Sequence, residues 1–131
     1  MTRVGEVYLL AGRLADALPL AERALALARD RQERGNQAWA LRLLGEIAMH
    51  SNTPGTVLTG THYRQALTLA EALGMQPLVA HCHHGLGKLY ARIGRHAESR
   101  AELSAAVELY RGMAMMLWLP QAEALLTAVA S

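Results

Sequence analysis

Residues 86–95 read LGKLYARIGR, and the same spacing occurs twice earlier, as VGEVYLLAGR from Val4 and LGEIAMHSN from Leu44. Each copy has an apolar residue, then glycine, and three positions further on Tyr8, Ala48 or Tyr90. Gly5, Gly45 and Gly87 are separated by 40 and 42 residues, a loose period in the range of stacked structural repeats. In the first and third copies a second glycine, Gly12 or Gly94, follows seven residues after the first.

Behind each copy lies a segment rich in small residues: ADALPLAERALALA from Ala15, THYRQALTLAEALG from Thr61 and AESRAELSAAVELY from Ala97. Leu18, Ala21, Ala24 and Leu25 recur at helical spacing, as do Tyr63, Ala66, Leu67 and Ala70, and Leu103, Ala106, Val107 and Tyr110. Each segment reads as one amphipathic helix. Gly12 and Gly94 stand where a helix stops and turns back, and Gly74 is followed by Pro77 at the start of the next helix. The expectation is an all-α chain of seven helices: three hairpins, over residues 1–35, 36–74 and 75–112, and a closing helix over 115–130. Two places strain this pattern. Pro19 predicts a helix that begins late or bends, and HSNTPGTVLTG, residues 50–60, predicts a longer exposed loop.

Composition agrees with a packed helical domain. Of the 131 residues 52% are hydrophobic and 18% charged, which excludes a disordered chain, and Phe is absent. The formal charge of +2 comes from acids and bases interleaved along the chain, so no nucleic-acid stripe is implied. Cys82 is the single cysteine and cannot form an internal disulfide, which makes a reducing cytoplasm the expected compartment. The apolar run near the N-terminus is short and broken by Glu6, which argues against a signal peptide, and no apolar segment has membrane-spanning length.

These residues resemble the tetratricopeptide repeat, a helical hairpin that stacks into a right-handed superhelix. The third copy matches best, with Leu86, Gly87, Tyr90, Gly94, Ser99 and Ala106; the first offers Val4, Gly5, Tyr8, Gly12, Ala17 and Ala24. The second keeps Leu44, Gly45 and Ala66 but lacks the Tyr and the turn glycine. The period exceeds the family's usual one and is similar to that of longer-helix variants in multidomain signalling proteins. The stretch from His62 to Arg95, with MMLWLPQAEALL behind it, resembles the C-terminal repeat region of large bacterial proteins that carry a nucleotide-cyclase domain and an ATPase module. The first copy starts partway into its first helix, so a piece of a longer chain is expected. Independently of the likeness, small residues where antiparallel helices cross let the backbones approach. Gly45 is expected opposite Ala66, where a larger residue overpacks the crossing by about 1–3 kcal/mol.

The resemblance implies a solenoid whose first helices line a concave, partner-binding face. It places Trp39, Arg42, Glu46, Met49 and His50 there in the second copy, His81, His84, Lys88 and Arg92 in the third, and Glu6 and Leu9 in the first. His83 falls instead where a large core residue belongs, so the three histidines are split between a packed position and two solvent-facing ones. Zinc requires about four converging ligands, and imidazoles three apart on a helix supply two; no HExxH and no second cysteine stand nearby. No metal and no cofactor are expected. Trp39 with Arg42 and Met49 has the composition of a binding hot spot, the alternative being that Trp39 caps the edge of the core.

Carboxylates are scattered singly, Glu98 and Glu102 near Arg95 and Arg100 among them, and Ser/His/Asp groupings, GxGxxG and GxxxxGK[ST] are absent. No catalysis is expected. The tail carries Met113, Met115, Met116, Leu117, Trp118 and Leu119 almost in succession, and with Val4 and Val7 at the other end it predicts self-association. The expected function is a non-enzymatic module that binds a protein or peptide in a concave groove, not nucleic acid and not membrane. Trp39 and Met49 would supply apolar area, and Arg42, Lys88 and Arg92 would meet carboxylates. Its alternative is a regulatory arm of a cyclase, ATPase or transcription regulator. An RNA-binding repeat is disfavoured by the weak charge and the 5% aromatic content.

Overall fold

A computed structural model describes residues 14–49 and 56–130. Six helices and no strands are found among them: α1 (Leu14–Asp30), α2 (Arg34–Met49), α3 (Thr56–Leu73), α4 (Gln76–Arg92), α5 (His96–Gly112) and α6 (Leu119–Ala130). The helix expected ahead of α1, with Gly5 and Gly12, lies outside the described residues.

Four of the connections are one device. At Gln32, Gly74, Gly94 and Ala114 the backbone enters the left-handed region, with φ of 56°, 70°, 83° and 55°. The next N–H reaches back to close the helix end: Glu33 to the Ala28 carbonyl at 2.8 Å, Met75 to Ala70 at 2.9 Å, Arg95 to Tyr90 at 2.8 Å and Met115 to Tyr110 at 2.9 Å. These are Schellman closures, which satisfy carbonyls that the helix leaves without a partner. Two use glycine, as the sequence predicts; Gln32 and Ala114 adopt the same conformation without it.

Each helix packs on its neighbours in the chain, and α2 also touches α4 while α4 touches α6. One core joins α1 to α4 through Ala21, Leu25, Leu41, Leu44, Ala70, Leu78 and Cys82. A second joins α4 to α6 through Ala80, Ala106, Val107, Tyr110, Leu119 and Ala122. Helix α4 belongs to both, which explains why Leu78, Val79, Ala80, His81, Cys82 and His84 are buried almost in succession.

The small residues sit at close helix crossings, with one correction. Gly45 faces the ring of Tyr63 rather than Ala66: a Cβ on Gly45 would lie 3.1 Å from three ring carbons. Gly85 of α4 meets the same ring, and a Cβ there would come within 2.3 Å. The fully buried Tyr63 thus meets two bare backbones, and Ala66 fills the core one turn further on. Gly87 repeats the arrangement against Leu103, and the Ser99 hydroxyl donates to the Gly87 carbonyl at 2.7 Å.

Three boundaries differ from expectation. Of the loop expected over residues 50–60, the described part is helical: α3 begins at Thr56, and Gly60 is buried with the Arg64 side chain close by. Pro19 lies inside α1 at an exposed position, and the helix starts five residues before it, so the lost donor is a single early one. The closing helix starts at Leu119 rather than 115, because residues 113–118 form turns and Pro120 sets the first turn of α6.

Candidate functional site

The positions expected to line the inner face lie on α2 and α4, which touch. On α2, Trp39 is half-buried and packs on the edge of the first core, with the Arg42 guanidinium 5.8 Å from its ring centre. Arg42 in turn lies 3.8 Å from the Glu46 carboxylate one turn on, both side chains being only 14% and 13% exposed. Met49 is a correction: it is buried among Tyr63, Leu86 and Leu89 and offers no apolar area to a partner. His50 lies outside the described residues.

On α4 the histidines are sorted in the opposite way to that expected. His81 and His84, expected to face solvent, are buried, because the Tyr110 side chain from α5 and Trp118 close over them. The Tyr110 hydroxyl lies 2.8 Å from Nδ1 of His81 and 3.2 Å from Nδ1 of His84. Trp118 meets the His81 ring edge-on at 4.7 Å. A phenol has one proton, so it can donate to one Nδ1 at most and can accept from a protonated Nδ1.

Both stay neutral over the ordinary range. Burial lowers the His81 pKa to about 3, with the charge of Arg42 as the next cause, and lowers that of His84 to about 4, with Lys88 next. Burial likewise pushes the Cys82 thiol up to about 12 and raises the Tyr110 phenol. Tyr63 is raised by burial first, and then by the charge of Glu46 and a hydrogen bond to it. His83, expected in a packed position, is half-buried and lies 2.6 Å from the Glu102 carboxylate of α5.

Of the remaining expected contacts, Lys88 is half-buried and Arg92 is exposed, its guanidinium donating to the Met49 carbonyl across the α2–α4 contact. What α2 and α4 leave accessible is thus Trp39 in part, Lys88 and Arg92, beside the Arg42–Glu46 pair. The shifts of His81 and His84 place them within the electrostatic reach of Arg42, Glu46 and Lys88. Among the described residues no three His, Cys, Asp or Glu side chains come together as metal ligands, and no helix is long and apolar enough to cross a membrane.

Tyr110 and Trp118 organise this region and were not singled out for it from the sequence. The available signal was that Tyr110 falls on the core stripe of α5, where a buried hydroxyl needs a polar partner. Comparison of the chain with protein-family models, curated proteins and solved structures finds no match.

Proposed function

We propose that the chain is a non-enzymatic helical repeat of tetratricopeptide type that binds a protein or peptide along the face shared by α2 and α4. The observation that carries this reading is the contact of alternate helices. Because α2, α4 and α6 touch as well as pairing with α3 and α5, side chains at matching positions of α2 and α4 form one wall. The pairing of Gly45 and Gly87 with buried side chains of the following helix supports a common hairpin geometry. On that wall Trp39 supplies a rigid apolar anchor, and Lys88 and Arg92 supply cations for carboxylates. Arg42, held beside Trp39 and Glu46, extends the cationic row.

The test is selection of a displayed peptide library on the chain, followed by fluorescence polarisation with the enriched peptides. Trp39→Ala and Lys88→Gln are each expected to weaken binding tenfold or more while leaving the helical circular dichroism unchanged. Enriched peptides that bind both variants as tightly as the parent chain refute this reading.

A further inference from the structure

The inner wall is not the only place where cations gather. A surface depression of about 450 Å³ lies on the opposite, outward side of α3, lined by Arg34, Thr61, Arg64, Gln65, Thr68 and Leu69, with Ala72 at its end. These positions follow the helical repeat along the face of α3 turned away from buried Tyr63, Ala66 and Ala70. Arg34 reaches the depression from the start of α2.

Its chemistry is one-sided. Two guanidiniums, two threonines and a glutamine line it with no carboxylate, over a floor of Leu69 and Ala72. Arg34 and Arg64 are exposed, and neither has a carboxylate partner among the described residues. Arg64 is also held in place. Its Nη1 donates to the Tyr90 hydroxyl of α4 at 3.0 Å, and its Nη2 lies over Gly60, where a Cβ would come within 2.8 Å. A fixed guanidinium loses less freedom when it binds an anion than a free one does.

We propose that this outer face of α3 is a second docking surface, and that it takes an acidic, extended segment of a partner protein. Charge complementarity selects the sign, since two unpaired guanidiniums favour carboxylates in bidentate geometry. Shape selects a segment: the stripe from Thr61 to Ala72 runs about 16 Å along the helix, enough for roughly five extended residues. The depression is open along its length, which suits a chain lying across it. The site is separate from the inner wall and does not depend on the reading of that wall.

The probe is a fluorescein-labelled hexaglutamate peptide, titrated into the chain by polarisation at low and moderate salt. Arg34→Gln/Arg64→Gln is expected to lower its affinity tenfold or more, whereas Arg95→Gln/Arg100→Gln, at exposed positions of the α4–α5 turn and α5, retains it. Circular dichroism confirms that both variants fold, and Arg64→Lys, which keeps the charge but loses the planar fork, is expected to recover only part of the affinity. Absence of hexaglutamate binding to the parent chain overturns the proposal. So does equal loss in both double variants, or loss only when Lys88 and Arg92 of the inner wall are replaced. Displacement of the peptide by submillimolar inorganic phosphate assigns the depression to free phosphate and also overturns it.

Discussion

Replacing Gly85 by alanine puts one methyl group where the structure has no room for it. The added Cβ would stand 2.3, 2.4 and 2.9 Å from three carbons of the Tyr63 ring, against about 3.5–4.0 Å for an unstrained carbon contact. The ring has little room to step aside, because it is fully buried and rests close to the Gly45 backbone. Overpacking of this kind costs about 1–3 kcal/mol, while alanine in a helix interior regains up to about 1 kcal/mol over glycine. The expected net loss is about 1–2 kcal/mol. Gly45→Ala, with its longer contacts, is expected near neutrality. Gly112→Ala is the control: nothing lies within 4 Å of its Cβ position, so only the helix gain remains. Urea unfolding followed at 222 nm reads all three, and Tyr63→Leu in the Gly85→Ala background is expected to recover part of the loss through a favourable coupling. If Gly85→Ala proves as stable as Gly112→Ala, the contact between Gly85 and the Tyr63 ring is not the tight one that this reasoning requires.

Three further outcomes are expected. Ala114→Gly should raise stability by about 0.5–1 kcal/mol, because Ala114 occupies the left-handed region at φ 55° that glycine enters freely; an unchanged melting temperature contradicts this. Tyr110→Phe removes the hydroxyl between two buried imidazoles and is expected to cost about 1–3 kcal/mol in urea unfolding, with less than about 0.5 kcal/mol showing that the hydroxyl is idle. The folded pKa values of His81 and His84 lie below the ordinary 6.5, so the unfolded chain binds more protons; stability is complete above pH 6.5 and falls as pH drops towards 4 and then 3. Each histidine adds about 1.4 kcal/mol per pH unit to that slope, and His84→Gln should flatten the urea midpoint between pH 6.5 and 4.5, where an unaltered slope removes the pair from the acid response.

The helices were legible because their periodicity is a property of each segment alone. Ala21, Leu25, Tyr63, Ala66, Ala70, Leu103, Ala106, Val107 and Tyr110 all follow the three-and-four spacing and all are buried. The stops at Gly74 and Gly94 were legible for a similar reason, since glycine announces a left-handed turn. Those at Gln32 and Ala114 were not. Each is closed by the same backbone bond, from the following N–H onto a carbonyl five residues back, at a residue whose own preference gives no sign of it. The threonine- and glycine-rich start of α3 was read as loop because its local chemistry favours turns, yet the helix runs through it from Thr56 and buries Gly60.

The site was less legible, and the histidines show why. Spacing alone puts residues 81 and 84 on one face of α4 and turns residue 83 about 100° away from 84, so the split between faces is present in the sequence. Which face is covered depends on Tyr110 and Trp118, 26 or more residues away, and nothing in the order of His81, Cys82, His83 and His84 records their approach. One constraint does travel back along the chain. Tyr110 lies on the core stripe of α5, so its hydroxyl enters the interior and requires a polar partner there, and two neutral imidazoles on the facing helix can share it as donor and acceptor. Read in that direction, Tyr110 on the core stripe calls for a polar partner on the facing helix, and His81 and His84 supply it. His83, out of reach of that hydroxyl, is left to the Glu102 carboxylate at the rim.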